Sequence, residues 1–75
     1  MTPFFLEISR HAKERIKQRR ITRKKIRDCI IHGDLLNIDY RERRTRALKF
    51  GAKTLEVIYL EIKMGYLVVT AYWRQ

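Results

Sequence analysis

Cysteine occurs once, at Cys29, so no disulfide can close within the chain. That excludes the disulfide-stapled class of small extracellular domains and fits a reducing cytoplasm. Proline also occurs once and glycine three times, too few to mark a linker, and no segment repeats. The 75 residues therefore read as a single domain, 1–75. Long apolar runs are missing too. The longest uncharged stretch of the C-terminal half is MGYLVVTAYW, residues 64–73, about half of a membrane span. The opening MTPFFLEISR has neither the charged start nor the apolar core of a signal peptide. No membrane partner is expected.

Acids are the most consequential shortage. Eight Asp and Glu face eighteen Lys and Arg, giving a formal charge of +10 and a pI near 10.4. A field of that sign attracts polyanions and repels further copies of the chain. Nucleic acid is the leading partner class. A chain this short buries only about 60% of its unfolded surface, so a protein partner or a homo-oligomer would add stability.

What is present is arranged unevenly. Residues 10–27 hold ten Lys and Arg with Glu14 as the sole acid, and 41–46 (RERRTR) add four Arg against Glu42. From Thr54 onward the only bases are Lys63 and Arg74. Thr2–Ile8 is a short apolar lead-in in which Pro3 argues against a long central strand. Ser9 can cap a helix over 10–20, and Thr22 a second over 23–32, where Ile26, Cys29 and Ile30 fall on one face. Gly33 suits the position just past a helix end. The period then shortens to two: Leu36, Ile38 and Tyr40 alternate with polar residues. Arg44–Phe50, Lys53–Ile62 and Tyr66–Arg74 follow, separated by Gly-containing turns. The expected fold is α+β, with two N-terminal helices packed on a three- to four-stranded antiparallel sheet. The last strand, apolar on both faces, should be central or doubly covered. Within it Thr70 and Tyr72 share one face, while Ala71 and Trp73 share the other.

On the first helix His11, Arg15 and Arg19 follow one another at i, i+4 beside the apolar Ala12 and Ile16. That line lies where a helix edge meets a sheet. It is either a binding stripe or a plain helix edge bonded to nearby carbonyls and acids.

The string H-A-x-x-R-x-x-x-R-x-I-T, from His11 to Thr22, is followed by an amphipathic helix ending at Gly33. Further on come G-x-x-x-L-x-V-I-Y (Gly51–Tyr59) and V-V-T-A-Y (Val68–Tyr72). Together these motifs resemble a small prokaryotic domain family of unknown function, and the likeness spans nearly the whole chain. That family looks related to BrnT-like and RelE-like toxins of the barnase/RelE-type ribonuclease group. The resemblance implies a metal-independent ribonuclease toxin, often encoded beside an antitoxin that would cover the His11 edge. The implied site joins His11, Arg15 and Arg19 to Thr70 and Tyr72, with the His11 and Thr70 side chains on one side of the molecule. His11 would act as base for the 2′-hydroxyl, and the arginines would grip the phosphate. Thr70 or Tyr72 would orient or protonate an oxygen.

Lys17, Arg20, Arg23, Lys24, Arg27, Arg41, Arg43, Arg44 and Arg46 are expected to form a nucleic-acid-binding footprint without sequence code. Tyr40, Phe50, Tyr59 and Trp73 are available for base stacking, although alternate aromatics on strands mostly fill cores. Cys29 and His32 stand at i, i+3, but two ligands close no metal site, and no metal or cofactor is expected. Residues 19–33 also imitate a helix-turn-helix reader, without the usual turn glycine and with strands following. The competing functional class is a non-catalytic RNA-binding or protein-interaction module on the same fold.

Overall fold

The computed structural model describes residues 5–75; Pro3 and the start of the lead-in lie outside them. Its elements run β1 (Phe5–Ile8), α1 (Arg10–Gln18), α2 (Arg23–His32), β2 (Asp34–Ile38), β3 (Arg44–Phe50), β4 (Lys53–Ile62) and β5 (Gly65–Arg74). Caps set the helix starts. Ser9 Oγ accepts the Ala12 N–H at 3.1 Å, and Thr22 Oγ1 accepts the Lys25 N–H at 3.2 Å. α1 stops two residues before the expected end. Arg20 turns left-handed (φ 57°), and the Ile21 N–H reaches back to the Ile16 carbonyl at 2.9 Å. This is a Schellman ending with arginine where glycine is usual, and Ile21 is buried with Ile16.

The sheet corrects the expected architecture. It has five strands in the order β1-β5-β4-β3-β2, and β1 runs parallel to β5 while the other pairings are antiparallel. A wholly antiparallel sheet of three or four strands is therefore overturned; an α+β fold stands. The missed element is β1, whose Leu6 and Ile8 are buried and whose Phe5 and Glu7 are exposed. Four residues are too short to announce a strand by alternation.

Both helices cover one face of the sheet. Leu55, Val57 and Tyr59 of β4 and Val68 and Ala71 of β5 form one core with Ala12, Ile16, Ile26, Cys29 and Ile30. Full burial of a side chain such as Ile26 stabilises by about 1.5–3 kcal/mol. The β4–β5 register slips between Ile58 and Tyr59, so Tyr59 faces Val68 while Ile58 faces Thr70. Ile58, Thr70 and Tyr72 consequently lie on the face that the helices leave open. Gly33 closes α2 as expected and is extended there, at φ −75° and ψ 167°. Glycine is needed there because Ala47 of β3 comes close. None of the helices among the described residues is long and apolar enough to cross a membrane.

Candidate nucleic-acid interface

The five residues implied as catalytic are not brought together. His11 and Arg15 are exposed on α1, on the helical side of the sheet. Thr70 and Tyr72 are half-buried on the opposite side, paired with Ile58 and Glu56. The expectation that His11 and Thr70 share one side is thereby corrected: the sheet lies between them. Arg19 is committed elsewhere. Its Nη1 donates to the Ala71 carbonyl at 2.7 Å, and its own carbonyl accepts the Trp73 indole N–H at 3.0 Å. It fastens the end of α1 to β5.

Tyr72 also has a structural occupation. Its hydroxyl donates to Glu56 Oε1 at 2.9 Å, and Arg74 Nη1 meets Glu56 Oε2 at 2.7 Å. Glu56 is only 4% exposed. The Arg74 bond, joined by the Tyr72 hydroxyl, holds its carboxyl below the ordinary value in spite of burial. Burial and the Glu56 carboxylate push the Tyr72 phenol up, which makes it a poor proton donor to a leaving group. The sign for stability follows. A depressed carboxyl stabilises the fold fully above its ordinary value of 4.5 and loses that contribution as pH falls through the folded value. Tyr72→Phe should cost about 1–2 kcal/mol at pH 7 and less at an acid pH low enough to protonate the folded Glu56 carboxyl. Denaturant titrations at both pH values measure the difference; an equal loss at both would refute the ionised Glu56 contact.

The arginines after β2 are largely neutralised nearby. Arg43 Nε pairs with Asp39 Oδ2 at 2.7 Å, and Arg44 lies 3.4 Å from Glu61. Burial opposes ionisation of Asp39, but the Arg43 and Arg41 N–H groups and the Arg43 guanidinium outweigh it and hold the carboxyl low. The Arg41 guanidinium lies 5.4 Å over the exposed Tyr40 ring. Arg46 points inward, donating from Nε to the Tyr59 hydroxyl at 2.7 Å and from Nη1 to the Gly33 carbonyl at 2.9 Å.

The aromatics are also mostly engaged in packing. Tyr59 is 1% exposed. Phe50 and Trp73 meet edge to face at 6.2 Å, with the Lys25 ammonium 5.3 Å from the Trp73 centroid. Cys29 is fully buried, and its thiol faces the Arg46 and Leu55 carbonyls. Burial pushes that thiol up to about 11, which leaves it an inert core residue rather than a nucleophile. Among the described residues no three His, Cys, Asp or Glu side chains group around one metal position.

A further group of cations lies along α2. Arg23, Lys24 and Arg27, with Leu6 of β1, line an open depression between helix and sheet. Arg23 Nη2 donates to the Leu6 carbonyl at 2.7 Å, which anchors the start of α2 to the edge strand. In the sheet Leu6 lies beside Tyr66, whose ring meets Tyr59 edge to face at 5.3 Å. Lys17 and Arg20 are exposed on and just after α1. Three cations and no carboxylate line the depression, an arrangement suited to holding phosphate oxygens through charge-assisted hydrogen bonds. Sequence reading placed Arg23, Lys24 and Arg27 in the footprint but missed Leu6. The apolar FLEI segment read as a strand would have been the signal.

No curated protein and no solved structure matches the chain, and nothing in the comparisons links it to BrnT-like or RelE-like toxins. A family model does match, over residues 8–73, a span that includes every element from α1 to β5 apart from the last residue of β5. The chain belongs to the family described as a domain of unknown function (DUF4258).

Proposed function

We propose that this protein is a non-catalytic RNA-binding module that holds the phosphate backbone along α2 and the end of α1. The observation that carries this reading is the convergence of Arg23, Lys24 and Arg27 on one depression without an acid in its lining. The overall charge of +10 supplies the long-range attraction. A ribonuclease toxin is the less supported reading, because its implied base and its implied hydroxyl groups face opposite sides of the sheet.

Fluorescence anisotropy with a labelled single-stranded RNA, titrated from about 50 to 200 mM salt, tests this. Log affinity should fall linearly with log salt, at about −0.7 per phosphate contacted. The Lys24→Gln/Arg27→Gln pair should make that slope shallower by about 1.4 if each contributes one contact. A flat salt response, or an unchanged slope in the folded double variant, would overturn the interface. The same RNA run on a gel, with His11→Ala in parallel, detects cleavage; cutting that depends on His11 would restore the enzyme reading.

A further inference from the structure

We propose that the outer edge of β2 receives an acidic segment of another polypeptide as an added strand. β2 is a terminal strand of the sheet, with β3 on one side and, among the described residues, no strand on the other. All five of its residues are exposed. Of the seven large hydrophobic side chains exposed among the described residues, five fall between Ile31 and Tyr40: Ile31, Leu35, Leu36, Ile38 and Tyr40. By register Leu35 and Ile38 flank Arg46 and Arg44 on the helical side.

Edges are ordinarily protected by lysine, proline, shortness, a bulge or a covering loop. β2 has neither lysine nor proline, and its only charge is Asp34 at the start. One irregularity, between Leu35 and Asn37, limits how far a partner can pair regularly. Affinity must then come from apolar side chains as well as from backbone hydrogen bonds. An edge this apolar in so polar a chain (35% charged) is the expected form of a strand-addition site.

Charge selects the occupant. A second copy would bring +10 against +10, a pairing that electrostatics opposes. Arg41, exposed beside Tyr40 at the exit of β2, presents a cation there, whereas Asp39 is already taken by Arg43. A segment alternating carboxylate and aliphatic residues meets both the apolar edge and the surrounding field. This interface is separate from the α2 depression, so neither proposal depends on the other.

The test uses two synthetic decapeptides, one alternating Glu and Val and the other Lys and Val, titrated against the full chain. The acidic peptide should bind, slowing amide exchange at Leu36 and Ile38, and the basic one should not. Ile38→Lys supplies the decisive sign. It adds a cation, so a merely electrostatic association with the acidic peptide would strengthen. Strand addition predicts the reverse, a loss of about tenfold or more as an aliphatic contact disappears. Its RNA salt slope should be no shallower than that of the unmodified chain, which separates failure here from failure of the RNA reading. Absence of acidic-peptide binding, binding that survives or tightens in Ile38→Lys, or a dimer protecting the β2 amides would each overturn the proposal.

Discussion

Replacing Gly33 by alanine should destabilise the protein by about 3 kcal/mol, the upper end of what one added methyl costs in a packed interior. Backbone conformation is not the reason, because Gly33 is extended and any residue tolerates that geometry. Space is the reason. A Cβ at this position would overlap the Cys29 carbonyl oxygen and come within 2.8 Å of the Ala47 carbonyl oxygen. Neither obstacle is a side chain that can rotate away. The Cys29 carbonyl already accepts the Gly33 N–H at 2.8 Å, closing the last turn of α2, and Ala47 belongs to β3, against which β2 is registered. Admitting the methyl means opening the helix end or peeling β2 from β3. For a domain of this size the loss should lower Tm by more than about 10 °C. Gly51→Ala is the matched control. Nothing lies within 4 Å of its added methyl, and only the left-handed backbone (φ 64°) resists, so about 1 kcal/mol is expected. Equal losses at the two positions would show that the α2–β2 junction is not crowded.

Elements whose signals are local were legible in the sequence. Ser9 and Thr22 announced both helix starts because capping is a contact across three residues. The hairpin β3–β4 followed from alternation and Gly51. β1 was not legible, because its pairing with β5 joins residues sixty apart in the chain. The alternation that separates Thr70 and Tyr72 from Ala71 and Trp73 was readable. Which of those faces the helices would cover was not, and that decided the fate of the His11–Thr70 pairing. The partner of Tyr72 was equally hidden, since Glu56 reaches it only through the β4–β5 register. Arginines posed the same difficulty. Composition counts Arg19, Arg46 and Lys24 alike as surface charge, yet the first two spend their guanidinium groups on protein oxygens. A planar, multiply donating head on a long apolar stem suits both tasks, and spacing along the chain does not reveal which is chosen.

Arg46 allows those two tasks to be separated. Arg46→Met keeps the apolar stem and removes both donors, leaving the buried Tyr59 hydroxyl and the Gly33 carbonyl without their present partner. A stranded buried polar group costs about 1–3 kcal/mol, so a loss of about 2–3 kcal/mol is expected from denaturant titration. Adding Tyr59→Phe should recover part of it, because removing both partners of a buried contact costs less than removing one. The RNA salt slope of folded Arg46→Met should stay close to that of the unmodified chain, since the guanidinium is turned toward Tyr59 and Gly33. Lys24→Gln should behave in the opposite way, with stability nearly unchanged and a shallower slope. Should Arg46→Met prove as stable as the unmodified chain and yet flatten the salt response, Arg46 would belong to the RNA surface and the inward clamp would be wrong. The two readouts move independently only if folding and phosphate binding draw on different basic residues, and the hydrogen bonds of Arg46 to Tyr59 and Gly33 commit it to the fold.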